Sequence, residues 1–374
     1  MEKDRKRYEM SNTVREVQEH GQSVWYDNIR RGLFGSGELK RLIDLGVTGL
    51  TSNPTIFQKA IAESSDYDDA FEEMVGEGKS TDEVYESLVI DDIRAAADLL
   101  RPVYEGTDGV DGYASLEVSP HLAHDTGATV SEGRRLFAAL DRPNVMVKVP
   151  ATPEGIPAVH RLIGEGINVN VTLLFSLRAH GDAMQAYISG LEDLQFSGGD
   201  VSSVASVGSF FVSRVDGVID SKLEGRNAEL MGKAAVANAR LAYRDFKEEF
   251  GGDRFALLRA NGARVQRPLW ASTSTKNPEY SDVMYVDSLI GADTVNTMPE
   301  PTLLAFLEHG AVADTLEEDV EGAERLIEDI ESAGVSMEEV TAGLLADGVR
   351  QFTESFDQLM ANIADKRAAL LAGE

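Results

Sequence analysis

The 374-residue chain contains no cysteine. Disulfides, thiol nucleophiles, thiolate metal sites and iron–sulfur clusters are therefore excluded at the outset. Positive charge is scarce: 35 Lys and Arg stand against 64 Asp and Glu, a net charge of -29. A nucleic-acid partner needs a basic footprint on the protein, so this balance predicts none. An anionic membrane surface is disfavoured for the same reason. No apolar run is long enough to span a bilayer. The opening MEKDRKRYEM has no apolar core behind its basic residues, so no secretory signal is predicted and a cytoplasmic setting is expected. The triplet Asn170-Val171-Thr172 matches a glycosylation acceptor but lies in an apolar, strand-like run, and we read it as a chance match. If the substrate is itself an anion, its site must carry local positive charge against the overall field.

What the chain does have is an alternation of short β-like runs and longer helical stretches. The runs are Val24–Asp27, Gly49–Asn53, Tyr113–Val118, Val145–Pro150, Ile167–Thr172, Val204–Phe211, Pro268–Ser272 and Thr294–Met298. Helical patterns lie between them, over Thr81–Arg101, Val130–Leu140, Glu154–Glu165, Ser176–Asp193, Val212–Phe250 and Tyr280–Gly291. Ser80 and Glu83 form a capping box ahead of the first. Alternating strands and helices imply parallel strands with crossover helices, and eight such units make a closed (β/α)8 TIM barrel the leading α/β architecture, with an open doubly wound sheet as the alternative. Residues 54–112 hold more helix than one crossover needs and read as a helical insertion after the second strand. Residues 315–374 read as C-terminal helices packing back on the barrel, with a second capping box at Ser336 and Glu339 and apolar residues at helical spacing from Val340 to Ile363. The whole chain, 1–374, is expected to be one barrel domain.

Strands of a parallel barrel are buried on both faces and should read as apolar. Several here do not. A lysine interrupts Val145-Met146-Val147-Lys148-Val149-Pro150, and Ile167-Asn168-Val169-Asn170-Val171-Thr172 alternates strictly between apolar and polar. Period two places Asn168, Asn170 and Thr172 on one face, as it does Ser115 with Glu117, Thr51 with Asn53, and Trp25 with Asp27. Asp27, Asn53, Glu117, Lys148, Asn170 and Thr172 sit toward the C-terminal ends of their runs, the barrel face that carries chemistry. A lysine amine is protonated in water, whereas removal from water favours the neutral nucleophile, which forms a Schiff base with a carbonyl substrate. The resulting iminium is an electron sink for cleavage of the neighbouring C–C bond, and Asp27 and Glu117 are available as its acid and base. Structural readings compete: Lys148 and Glu117 as an ion pair, Glu117 bridged to an arginine, Asp27 as a helix cap, and Asn168 and Asn170 as a polar plug. His121 and His124 have the spacing of a helical metal pair but lack a third ligand, and we read them as loop residues. Trp25 and Trp270 read as packing residues, Trp270 on the same face as Ser272. No Walker loop or dinucleotide fingerprint is present.

Three segments resemble a known family. Gly49-Leu50-Thr51-Ser52-Asn53-Pro54-Thr55, Val145-Met146-Val147-Lys148-Val149-Pro150-Ala151-Thr152 and Gly166-Ile167-Asn168-Val169-Asn170-Val171-Thr172-Leu173-Leu174-Phe175 are similar to the motifs of the stand-alone bacterial transaldolases, in the class I Schiff-base aldolase superfamily. The resemblance runs over about residues 20–310. It implies Lys148 as the Schiff-base lysine, Asp27 as the acid/base in carbon–carbon cleavage, and Glu117 with Thr172 as holders of the catalytic water. It implies Asn53 and Asn170, with Thr51 beside them, as partners of substrate hydroxyls, and Ser209, Arg214 and Ser272 at the substrate phosphate. Many relatives carry an arginine two residues after that serine. This chain has Ser274 there, with Lys276 two residues further to supply the charge. The implied reaction moves a dihydroxyacetone unit from a ketose phosphate, sedoheptulose 7-phosphate or fructose 6-phosphate, to an aldose phosphate in the non-oxidative pentose phosphate pathway. It needs neither metal nor cofactor. Phosphorylated sugars are then the only partners expected, with the protein a monomer or homodimer. A fructose 6-phosphate aldolase-like lyase and a catalytically silent sugar-phosphate-binding barrel are the alternatives.

Overall fold

Every strand residue is buried, as a sheet covered by helices outside and side chains inside requires. The computed structural model describes residues 12–372; the opening stretch read above for an export signal lies outside them. The strands are β1 (Gln22–Tyr26), β2 (Gly49–Thr51), β3 (Ala114–Glu117), β4 (Val145–Pro150), β5 (Val169–Leu174), β6 (Ser206–Phe211), β7 (Arg267–Ala271) and β8 (Thr294–Met298). They pair in parallel in chain order, and β8 closes on β1. The barrel is closed, so the open-sheet alternative falls. Among the described residues no helix is long and apolar enough to cross a membrane.

The N-terminal end of the barrel is plugged by a polar knot. Trp25 Nε1 donates to Asp111 Oδ1 at 2.6 Å, and Arg267 donates to Ser23 Oγ at 2.5 Å and to the Thr294 carbonyl at 2.6 Å. The Trp25 indole lies so close over Gly49 that a Cβ there would stand 2.4 Å from it. Any larger residue at 49 overpacks the plug, at a cost of about 1–3 kcal/mol.

After β2 the chain runs through three helices, Pro54–Glu63, Asp68–Gly76 and Thr81–Gly106. The capping box at the last is complete: Ser80 Oγ accepts from Glu83 N–H, and Glu83 Oε2 accepts from Ser80 N–H at 2.8 Å. The helix expected over Val212–Phe250 is two, Ser213–Leu223 and Ala234–Gly251, parted where Gly225 and Gly232 take positive φ of 73° and 69°. The stretch Tyr280–Gly291 is helical only over Met284–Asp287.

The chain ends in a 36-residue helix, Met337–Ala372. Its apolar face, with Val340, Leu344, Phe352, Leu359 and Ile363, is buried. Ser355 Oγ lies 2.8 Å from Thr55 Oγ1 on the inserted helix, and Gly348 lets the helix pass against Leu173 at the end of β5. Lys366 pairs with Asp68, and Arg367 donates to the Lys79 carbonyl at 2.8 Å. The last helix therefore straps the insertion to the C-terminal mouth of the barrel.

Candidate active site

At that mouth lies a cavity of about 740 Å³. The strand register brings Glu117, Lys148 and Asn170 side by side on β3, β4 and β5. Lys148 is 4 % exposed; its Nζ donates to the Ser52 carbonyl at 2.9 Å and stands 3.5 Å from Glu117 Oε2. That is ion-pair range, too long for a strong hydrogen bond. Of the structural readings, the ion pair with Lys148 is present; no arginine bridges Glu117 among the described residues.

Asp27 follows β1 directly, its amide held by the Met298 carbonyl at 2.9 Å. It caps no helix; the short helix Gly32–Gly35 begins after Arg31. Asp27 Oδ1 accepts from Thr51 Oγ1 at 2.7 Å, and Thr51 in turn lies 2.6 Å from Thr297 Oγ1. Burial holds both acids above the ordinary carboxylate range. The Thr51 hydroxyl and Lys148 only partly offset this at Asp27, and Lys148 alone does so at Glu117. Asp27, Thr51, Asn53, Lys148, Thr172, Ser209, Arg214, Ser272 and Lys276 all line the cavity, whereas Glu117 and Asn170 lie behind it.

Asn170 is fully buried. Its amide donates to Ser115 Oγ at 3.2 Å and its oxygen accepts from Ser209 Oγ at 2.7 Å, so it supports Ser209 from below. Complete burial also removes it as a glycosylation acceptor. Asn53 spends its side-chain oxygen on the Ile56 amide as the N-cap of Pro54–Glu63, which leaves the amide nitrogen for the cavity. Asn168 belongs to the other end of the strand, where it bonds the Pro143 and Val145 carbonyls and the Ala205 amide. Thr172 is aimed by an irregularity: the β5–β6 register shifts between Val171 and Leu174, and Leu173 takes φ 60°. Thr172 Oγ1 and Glu117 Oε2 are buried with no hydrogen-bond partner among the described residues.

The other end of the cavity is cationic. Arg214 is partly buried, donates to Gln351 Oε1 at 3.2 Å and sits over the Phe211 ring at 5.5 Å. Ser272 Oγ lies 3.0 Å from Ser213 Oγ; a positive φ of 56° turns it into the cavity. The strand alternation is broken there. Trp270 packs edge-on against Phe210, which meets His180 on the helix Leu177–Phe196, so the expectation that Trp270 and Ser272 share a face is corrected. Lys276 Nζ donates to Ser274 Oγ at 2.6 Å. Burial, then the charge of Arg214, holds this amine below its ordinary value.

His121 and His124 pair with Asp357 and Glu154, at 2.8 and 3.2 Å. Among the described residues no group of three or more His, Cys, Asp or Glu is placed to hold a metal ion. Sequence reasoning missed Gln351 and Phe352, because helical periodicity does not say which end of a barrel a terminal helix covers. It also missed Lys59, although Thr55, Ile56, Lys59 and Ala60 have the spacing of one helix face and all line the cavity.

Residues 24–363 match the family model described as Transaldolase/Fructose-6-phosphate aldolase. The chain is 47% identical over 371 residues to Transaldolase 2 of Nostoc sp., covering 95% of this chain and 97% of that protein. It is 47% identical over 366 residues to the Transaldolase of Thermobifida fusca, covering 96% of this chain and all of that protein. A third, the Transaldolase of Saccharopolyspora erythraea, is 47% identical over 350 residues, covering 92% of this chain and 95% of that one.

Proposed function

The chain belongs to the transaldolase/fructose-6-phosphate aldolase family, and from that premise we propose that the mouth of its barrel performs transaldolase chemistry with Lys148 as the nucleophile. The observation that carries the assignment of residues is a buried lysine, 3.5 Å from one buried carboxylate, in a cavity shared with a second, Asp27.

The steps follow from the positions. A neutral Lys148 Nζ adds to the ketone of a ketose phosphate, forming a C–N bond. The carbinolamine then loses water to give the iminium. Glu117, 3.5 Å from the Lys148 amine and held above the ordinary carboxylate range by burial, is the proton donor for that loss. Glu117 Oε2 and Thr172 Oγ1 would each cost about 1–3 kcal/mol if left unbonded in the interior, which supports reading them as the pair that holds the water of this step. Asp27 takes the proton from the hydroxyl next to the scissile bond. The C–C bond breaks, the electron pair passes into the iminium, and an aldose phosphate leaves. The three-carbon enamine stays on Lys148 until a second aldose phosphate accepts it, with Asp27 returning the proton. Thr51, with hydrogen bonds to both Asp27 and Thr297, orients the Asp27 carboxylate. Asn53 meets substrate hydroxyls, Asn170 holds Ser209 in place from below, and Ser209, Arg214, Ser272 and Lys276 form the phosphate end.

Transfer, rather than release of dihydroxyacetone to water, is supported by relatives that all carry the name transaldolase. The charged sugar phosphates of the cell interior support a cytoplasmic setting, which cell fractionation tests. Borohydride trapping with fructose 6-phosphate and peptide mass spectrometry tests the mechanism. A three-carbon adduct on the Lys148 peptide is expected, lost on adding erythrose 4-phosphate before the reductant. Turnover retained in Lys148→Ala would refute the assignment.

A further inference from the structure

The side chains lining the catalytic cavity include five cations, Arg30, Lys59, Lys148, Arg214 and Lys276, and two carboxylates, Asp27 and Glu300. In a chain of net charge -29 this is a strong local inversion. Two of the five cations are already balanced. Lys148 faces Glu117, and Arg30 pairs with Glu38 at 2.7 Å and lies 3.9 Å from Asp66.

The remaining three meet no carboxylate within ion-pair distance among the described side chains. Arg214 donates to the neutral Gln351, and Lys276 to the Ser274 hydroxyl. Lys59 makes no hydrogen bond or ion pair with any described side chain. It projects from the inserted helix Pro54–Glu63 on the face that also presents Thr55, Ile56 and Ala60 to the cavity. Arg214 is half-buried and Lys59 and Lys276 are exposed at the cavity rim. Like charges there repel one another, and after burial and Arg214 the charge of Lys59 adds a smaller push that holds the Lys276 amine below its ordinary value. A dianion reverses the repulsion among all three.

We propose that Lys59 is a third cationic ligand of the substrate phosphate monoester and a determinant of the preference for phosphorylated over free sugars. This rests on the reading of Arg214, Ser272 and Lys276 as the phosphate end. Lysine suits the role: a point charge on a flexible stem, reaching from a separate element without the planar demands of a guanidinium.

The test compares Lys59→Met, which keeps the apolar stem and removes the charge, with Lys59→Arg and Arg214→Ala. Two quantities are read: the ratio of kcat/KM for fructose 6-phosphate over that for fructose, and the inhibition constant of inorganic phosphate. One charge-assisted bond to phosphate corresponds to a change of about tenfold or more in each. Lys59→Met should lower the ratio and weaken phosphate inhibition by that factor, and Lys59→Arg should recover most of both. If Lys59→Met leaves both unchanged while Arg214→Ala lowers the ratio, the Lys59 proposal is overturned and the phosphate end stands without it. If neither variant moves either quantity, the phosphate end itself is wrong and the proposal falls with it.

Discussion

Replacing Asp216 with asparagine should make the protein more stable at neutral pH than at acid pH, relative to the parent. Asp216 lies on the helix Ser213–Leu223, two residues after Arg214, and is 1 % exposed. It accepts hydrogen bonds from the Ala235 amide at 2.8 Å and the Tyr285 hydroxyl at 2.9 Å. Burial first, with help from the charge of Asp220, raises its pKa from 3.8 to about 6, against the pull of those bonds. The folded state thus keeps a proton that the unfolded chain has already lost. The stabilisation is complete below the unfolded value and disappears as pH rises through the folded one. The displacement corresponds to about 3 kcal/mol in all, of which roughly 1.4 kcal/mol falls between about pH 5 and pH 7.5. The acid end of that range stays clear of the isoelectric point near 4.5. Asparagine can accept from Ala235 and donate to Tyr285, and any fixed difference in bond strength cancels when the two pH values are subtracted. Urea unfolding of both proteins at both values gives the quantity directly. The advantage of Asp216→Asn should grow by about 1.4 kcal/mol from the lower to the higher pH. An advantage that does not change with pH would refute the argument that this buried acid titrates as described.

Other expectations concern catalysis. Asp27→Asn should stop carbon–carbon cleavage but not imine formation, so borohydride should trap the whole six-carbon sugar on Lys148 while kcat falls by about 10²–10⁴-fold; a three-carbon adduct would exclude Asp27 as the base. Glu117→Gln should slow adduct formation in single-turnover trapping; an unchanged trapping rate would remove Glu117 from the dehydration step. Because Asp27 must be ionised to act and burial raises its pKa, the acid limb of kcat/KM should lie above the ordinary aspartate range. A limb within that range would contradict it. Gln351→Leu should release Arg214 and raise KM for phosphorylated ketoses about tenfold with little change in kcat; equal loss for free ketoses would mean that Gln351 acts on the fold rather than on Arg214.

The barrel was legible because parallel pairing buries both faces of each strand, so any polar residue inside an apolar run stands out. Lys148 and Thr172 were found that way. Period two did not separate Asn168 from Asn170, since both project to the interior side in an ideal strand. Only the depth along the strand distinguishes them, and Asn168 lies at the far end among main-chain carbonyls. Ser272 and Leu173 escaped the pattern because each takes a positive φ at the point where regular alternation would have predicted its direction. Gln351 and Lys59 come from elements outside the repeating unit. Their approach to the site depends on how the insertion and the last helix dock, which is a long-range packing outcome with no local signature.

The terminal helix has a consequence for the order in which the protein is made. Residue 298 completes the last barrel strand, yet the contact between Thr55 and Ser355 joins positions 300 residues apart. On a ribosome adding about 5–20 residues per second, the finished barrel waits several seconds for its last helix to emerge. During that interval Arg214 lacks its Gln351 partner, and the inserted helix that carries Lys59 lacks its strap. Synthesis therefore assembles Lys148, Asp27 and Glu117 first and closes the Arg214 end of the cavity last, so that a stalled nascent chain holds the buried lysine in an open mouth.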